Sequence, residues 1–447
     1  MRATSGGDGA GARMARVQVI ADLKALWPLR EFRKLLAVRL VSQCGDGMFQ
    51  VGLATLFFFS PENATTAGGV AAAFAVLLLP FTIVGPWAGV LLDRWSRRQV
   101  LLVGNLVRMG LAVVLAALMV TVGVGPAVYV LALVTLSVNR FLLSALSASL
   151  PQVVEGKLLL TANSVTPTLG TAANGIGSAV ALVLGWVVPT GRARDAAALL
   201  AAALTMAAAA GLAARIDRHR LGPEHRSDAE QLRAQLGTLV RGFVEGGRYL
   251  VARGTPARAL AVMAYHRFLY GVVFLASILI SRNLLSDPAD AQEGLATFAT
   301  VLAATAVGFA LAIVLTPTLS PSTGIHAWIT GCLVLAAVSQ CVLVVTYDLV
   351  PVLVAAALLG LAAQGTKIAV DTIVQRDTDD AYRGRAFALY DVLYNAAFVG
   401  AAALAAAALP DTGWSSGLFV VLALGYVAGA VAYGLAARRR PVPAEVA

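Results

Sequence analysis

Several ionisable side chains stand inside stretches that are otherwise apolar, and their spacing is the first clue to chemistry. Arg39, Gln43, Asp46 and Gln50 follow one another at intervals of four, three and four residues. That spacing puts all of them on one face of a helix. Asn105 and Arg108 share a second apolar run, Asn139 and Arg140 a third, and Tyr265, His266, Arg267 and Tyr270 lie near the centre of a fourth. Gln364, Lys367 and Asp371 fall in a fifth, Asp391, Tyr394 and Asn395 in a sixth. A charged group at bilayer depth costs about 2.5–3.5 kcal/mol on insertion scales, so such residues carry a function or have a partner. Asp46 is expected to pair with Arg140 or Arg108. It then either exchanges a proton during a working cycle or stays permanently ionised and holds helices together. Lys367 and Asp371, one turn apart, can satisfy each other. His266 is either a proton carrier or a satisfied buried histidine. Arg39 can snorkel towards the inner end of its run. Within the runs, basic residues outnumber acidic ones, which slightly favours an anionic or zwitterionic solute.

Other chemistries lack their residues. Cys44, Cys332 and Cys341 form no CxxC pair, and the four histidines are scattered, so neither a disulfide framework nor a metal site is indicated. There is no Walker loop, HExxH or GxSxG, and no serine–histidine–acid set in one leaflet. No enzyme activity and no cofactor are expected.

The elements that must position these residues follow from composition. Of 447 residues, 59% are apolar and 13% charged, far from the balance of a soluble domain. The formal charge of +10 raises nucleic acid as a partner, but the basic residues punctuate long apolar runs instead of gathering in one polar domain. The expected fold class is therefore all-α, a polytopic membrane protein. About 20 apolar residues cross a bilayer as a helix. Twelve runs qualify, at 36–59, 67–91, 100–121, 127–150, 161–188, 196–214, 257–281, 294–316, 324–346, 350–372, 384–409 and 414–436. The polar interruption at 215–256 divides them six and six.

The expected organisation is a tail and interfacial helix at 1–34, a six-helix bundle at 35–214, a central loop at 215–256, a second bundle at 257–437 and a tail at 438–447. Residues 230–251 have leucines and Phe243 at helical spacing with Arg233, Arg241 and Arg248, a pattern that favours lying flat in the interface. Lys24 to Lys34, with Trp27 and Phe32, reads as a second helix of this kind. With the N-terminus inside, 26 lysines and arginines fall on inside segments and three, Arg192, Arg194 and Arg282, on outside loops. This asymmetry places both termini in the cytoplasm, in a cell membrane. Phe57, Phe58, Phe59, Trp87 and Trp186 read as lipid-facing or interfacial anchors, and Tyr265, Tyr270, Tyr390 and Tyr394 as cavity residues. The arginine bias and alanine runs suggest a bacterial gene. A monomer is expected.

One motif points to a family. Gly89-Val90-Leu91-Leu92-Asp93-Arg94-Trp95-Ser96-Arg97-Arg98 resembles the signature loop of the major facilitator superfamily, with Ser96 in place of the usual second glycine. It stands after the second run, where that family has it. With the twelve runs, the resemblance covers essentially the whole chain. It implies two six-helix bundles that move a small organic molecule by alternating access. Spans 1, 4, 7 and 10 would line the cavity, which selects Asp46, Arg140, Arg267 and Lys367. It also implies a latch in which Gly89 permits close helix approach and Asp93 faces the N-terminus of the eleventh span, around Arg383 and Arg385. In the alternative, Arg94, Arg97 and Arg98 only set topology.

The equivalent loop in the second half, Pro317 to Ile325, carries no acid or base. Arg140 and Ser144 resemble the family's Arg-x-x-x-Gly motif of span four. The segments Gly242 to Leu260 and Asp371 to Asn395 resemble the bacterial branch of siderophore and multidrug exporters. The stretch Gly170 to Gly177 stands where that branch has a Gly-Pro core, and it has no proline. Outward transport by proton antiport follows as an expectation. Import by proton symport, or a receptor or scaffold without flux, are the alternatives.

Overall fold

The computed structural model describes residues 24–59, 68–71, 73, 95–123, 125–154, 158–188, 192–217, 221 and 229–438. Among these residues the chain is helical, with no strand. Ten helices are long and apolar enough to cross a membrane. Of the twelve runs expected, the first forms a helix that is not among these ten, carrying Arg39, Gln43, Asp46 and Gln50 within it, and the second lies almost wholly outside the described residues. The chain divides into two compact units, Met1–Leu53 with Trp87–Arg233 and Ala54–Pro86 with Ala234–Ala447.

In the first unit, α1 spans Arg30–Ala54, α2 Arg97–Thr121, α3 Pro126–Ser149, α4 Leu158–Val187 and α5 Arg192–Ala214. The interfacial helix expected at Lys24 to Lys34 is not a separate element. A short helical turn ends at Trp27 and Pro28, and α1 starts at Arg30 and continues into the first apolar run. Pro28 supplies the break, because a proline pushes its preceding residue out of the helical region. Phe32 packs in a core with Leu26, Leu35, Leu146, Leu150 and Ile216, while Trp27 stays exposed. The start of α2 is fixed by Ser96, whose hydroxyl accepts from the Gln99 backbone N–H at 3.3 Å. Arg98 donates to the Ile216 and Ala214 carbonyls at 2.7 and 2.9 Å, satisfying groups that the end of α5 leaves open.

In the second unit, Thr55–Phe59 winds as a π-helical turn. Phe57 and Phe58 are buried there, which corrects their reading as lipid-facing anchors. The Phe58 carbonyl accepts a hydrogen bond from Arg282 at 3.0 Å. Six helices follow α6 (Ala229–Arg253): α7 Thr255–Asn283, α8 Ala291–Thr323, α9 Ile325–Val345, α10 Leu349–Asp377, α11 Asp380–Ala408 and α12 Ser416–Arg438. The Asp290 carboxylate caps α8 by accepting from the Gln292 and Glu293 N–H groups. The loop expected from Pro317 to Ile325 is instead helix as far as Thr323. The Thr318 hydroxyl donates to the Val314 carbonyl, and the Ser322 and Thr323 hydroxyls to the Leu319 carbonyl. The turn shrinks to Gly324, whose φ of +87° suits glycine.

Candidate functional site

The expected cluster on α1 closes around an ion pair. Asp46 binds Arg108 of α2, and both side chains are 1% exposed. Of the two partners open from the sequence, the structure selects Arg108. Gln43 Nε2 donates to the second Asp46 oxygen at 2.7 Å. Arg108 Nη1 donates to Ser42 Oγ at 3.3 Å, and that hydroxyl donates to Asn105 Oδ1 at 3.1 Å. Asn105 Nδ2 in turn donates to the Leu101 carbonyl at 2.7 Å. Gln43, Asp46, Arg108, Ser42 and Asn105 are thus linked between α1 and α2 by three hydrogen bonds and the ion pair. Ser42 was not singled out by the sequence reading; its signal was its place one position from Gln43 and one turn before Asp46. Gln50 is exposed, away from the pair. Arg39 is buried, with Nε against Gly170 of α4. Arg140 on α3 is half-buried.

Glycines flanking the carboxylate set how closely neighbouring helices approach it. A methyl group at Gly47 would run into the Asn174 carbonyl of α4, and one at Gly177 into the Cys44 carbonyl of α1. A methyl at Gly45 would meet Thr205 of α5 at 2.5 Å. The proline-free stretch Gly170 to Gly177 therefore serves as the bed on which α1 lies.

The second unit holds its own polar and aromatic cluster. The Arg267 guanidinium lies 3.7 Å from the Phe398 ring centroid, 4.1 Å from Tyr394 and 5.3 Å from Tyr270. Tyr394 stacks on Tyr390 at 5.8 Å. Lys367 donates to Asp371 at 2.6 Å, the one-turn pair expected from the sequence, and its ammonium sits 5.8 Å from the Tyr390 ring. His266 is buried, with its ring between those of Tyr270 and Tyr426. Asn395 donates to the Asp391 carbonyl at 2.8 Å. Asp391 itself is exposed. Tyr265 leaves the group: its hydroxyl donates to the Gly425 carbonyl on α12 at 2.7 Å.

Of the signature loop, Gly89, Asp93 and Arg94 lie outside the described residues. Arg97 is half-buried near the start of α2, and Arg98 holds the end of α5. At the other end of the expected latch, Arg385 donates to Glu245 of α6 at 3.4 Å and lies over the Tyr382 ring; Arg383 is half-buried.

The helix α6 is strapped to the turn between α10 and α11. Tyr249 stacks on Tyr382 at 4.1 Å with planes 2° apart. Its hydroxyl accepts from the Asp379 backbone N–H at 3.0 Å and from Arg253 Nε at 3.1 Å. Arg253 Nη2 reaches both Asp379 carboxylate oxygens at 2.7 Å. Tyr249→Ala removes the stack, worth about 0.5–1.5 kcal/mol, and both hydrogen bonds, so amide exchange within α6 is expected to speed up about tenfold. Hydrogen-exchange mass spectrometry would show this, and unchanged exchange would refute the strap.

The strap is also expected to be insensitive to pH. Hydrogen bonds from Arg253 and then Tyr249 hold the Asp379 carboxyl below its ordinary value, and the same bond holds Arg253 above its own. A depressed carboxyl contributes stability that is complete above its unfolded pKa and lost as pH falls through the folded one. The protection factors of the α6 amides, taken after dividing out the base-catalysed rise of intrinsic exchange, should therefore be flat between about pH 5 and pH 8.

Comparison with known proteins places the chain among relatives. No family model matches it. It is 36% identical over 413 residues to an uncharacterized MFS-type transporter of Mycobacterium bovis and to one of Mycobacterium tuberculosis, covering 92% of either sequence. Its fold is similar to a nucleoside transporter, NupG, with a TM-score of 0.65 at 12% identity over 92% of this chain and 100% of that one. It is also similar to a peptide transporter, POT, in complex with sulfate, with a TM-score of 0.64 at 12% identity over 92% and 94%.

Proposed function

The chain belongs to the major facilitator superfamily, and from that premise we propose that it is a secondary transporter that exports a small organic molecule in exchange for protons. The full proposed architecture is twelve spans in two bundles, both termini cytoplasmic, in a bacterial cell membrane. The signature-loop residues Gly89, Asp93, Arg94, Arg97 and Arg98 latch against the start of α11 in one state of the cycle. Solute and protons are the partners that move.

The observation that carries the reading is the Asp46–Arg108 pair, buried to 1% exposure within apolar helices. A carboxylate there is stable while paired and hydrogen-bonded. Loss of the arginine's contact in another conformation leaves protonation as the way to keep Asp46 neutral. Taking up a proton in one state and releasing it in the other couples the cycle to a pH gradient. Gln43, bonded to the second oxygen, can serve either form, since its amide both donates and accepts. Arg140 and Lys367 are proposed to line the solute path, with His266, Tyr270, Asp391 and Asn395 beside it.

Asp46→Asn is the deciding variant. In vesicles of stated orientation carrying a pH gradient, the variant is expected to lose gradient-driven accumulation while keeping solute exchange at equal concentrations on both sides. Unchanged pH dependence would reduce the pair to a structural fastener. Accumulation in the direction opposite to export would support import by symport.

A further inference from the structure

The Arg267 cluster has a charge that its surroundings do not neutralise. Arg267 lies near the centre of α7, and its guanidinium is enclosed by Phe398, Tyr394 and Tyr270. Aromatic faces attract a cation only weakly. Taking a guanidinium out of water costs more than such contacts return. Aromatic faces also have no lone pairs in the ring plane for directed N–H donors, and a guanidinium has five such donors. No acceptor among the described residues is bonded to Arg267, and its Nε is buried without a hydrogen-bond partner.

The acids that share the cluster do not neutralise it. Asp371 is held by Lys367 at 2.6 Å, one turn away on α10. Asp391 is on the exposed side of α11. By contrast, the buried arginine of the first unit, Arg108, has its carboxylate in contact. The two units thus treat a mid-helix arginine differently: one is paired within the protein, and the other is held in place with its fork unused.

The fork is held rigidly. Gly271, one turn after Arg267, lies where any side chain would collide with the Phe398 ring and with Ala401. That close approach of α7 and α11 presses Phe398 over the guanidinium. Tyr270 also borders an apolar cavity with Phe274, Val301 and Leu359. The guanidinium is therefore faced by aromatic rings, with an apolar cavity beside Tyr270. A carboxylate or phosphate is the partner whose geometry matches such a fork.

We propose that Arg267 anchors the anionic group of the transported solute, so that the substrate is an organic acid or organic phosphate with an apolar body resting on Tyr270, Tyr394 and Phe398. The assignment rests on the transporter reading above and adds the substrate class. Arg267 touches the solute, and Gly271 is a positioning residue that acts through Phe398.

Phenylglyoxal, which modifies accessible arginines, provides the test. Full-length protein in phosphatidylcholine vesicles is treated with the reagent in the presence of benzoate, phenyl phosphate or citrate, with methyl benzoate as the uncharged control. Mass spectrometry follows the peptide that carries Arg267. At least one anion is expected to slow modification of Arg267 about tenfold, a binding contribution of about 1.4 kcal/mol, with no protection by the ester. Arg267→Lys should keep weakened binding of that anion, read by its thermal upshift of the protein, whereas Arg267→Gln should lose it. Equal protection by acid and ester, no protection by any anion, or an Arg267 that the reagent never reaches would each overturn the proposal.

The two readings fail separately. Anion protection at Arg267 with no counterflow of any solute would defeat transport and leave the anchor. Solute counterflow that treats acids and esters alike, unchanged in Arg267→Gln, would defeat the anchor and leave transport.

Discussion

Arg108→Leu is expected to cost the first unit about 3–5 kcal/mol, because it leaves Asp46 as a buried carboxylate without its counter-charge. The variant should give little folded protein, and what remains should melt well below the parent in detergent. The pair is 1% exposed on both sides, and α1 is held against α4 and α5 by close contacts at Gly45 and Gly47, so water cannot enter cheaply to replace the arginine. Arg108 also donates to Ser42, so the deletion strands that hydroxyl's acceptor sites as well. The double variant Asp46→Asn with Arg108→Leu removes both charges and should recover much of the loss. A thermodynamic cycle over the single and double variants isolates the coupling, for which neighbours in one network commonly give about 0.5–3 kcal/mol. Additive losses, with no recovery in the double variant, would show that Asp46 and Arg108 do not depend on each other.

This network was partly legible in the residue order. The four-three-four spacing placed Asp46 among Gln43 and Gln50 on one helical face, and mid-run arginines offered it partners. The choice of Arg108 over Arg140 was not legible, because helical periodicity orders residues along one helix and says nothing about which neighbour packs on which face. Gln50 shares the face yet is exposed, since the face is longer than the patch that neighbouring helices cover. The helix at the central loop was readable to within two residues, Ala229–Arg253 against 230–251, because its amphipathic period is strong. Its strapping through Tyr249 to Tyr382 and Asp379 was hidden, as contacts across some 130 positions leave no local pattern. Phe57, Phe58 and Arg282 show the same limit from the other side. Hydropathy reads the phenylalanines as lipid anchors and the arginine as a loop charge, whereas all three are buried and the Phe58 carbonyl accepts from the Arg282 guanidinium, a bond that composition does not encode.

Gly177→Ala is expected to be as damaging as loss of a buried charge, although it adds a single methyl group. The new Cβ would overlap the Cys44 carbonyl oxygen, a backbone atom that no rotamer change can move. Overpacking a core with a flexible neighbour costs about 1–3 kcal/mol, and a backbone collision exceeds that range because whole helices must part. Gly47→Ala meets the Asn174 carbonyl from the other side of the same crossing and should behave alike. Gly175 is the internal control: it lies two residues away on α4 with nothing within 4 Å of an added Cβ. There, alanine gains about 0.5–1 kcal/mol of helix stability with no collision to offset it. Melting temperatures in detergent should therefore fall steeply for Gly47→Ala and Gly177→Ala and hold or rise for Gly175→Ala. The loss has a functional consequence because the α1–α4 crossing lies one residue from Asp46. Helices forced apart there would loosen the burial that makes protonation of the carboxylate consequential. Under the proposed exchange with protons, a Gly177→Ala protein that still folds should show weakened gradient-driven accumulation before it shows weakened solute exchange. Equal melting of the Gly175 and Gly177 variants would mean that α1 and α4 do not meet at these glycines.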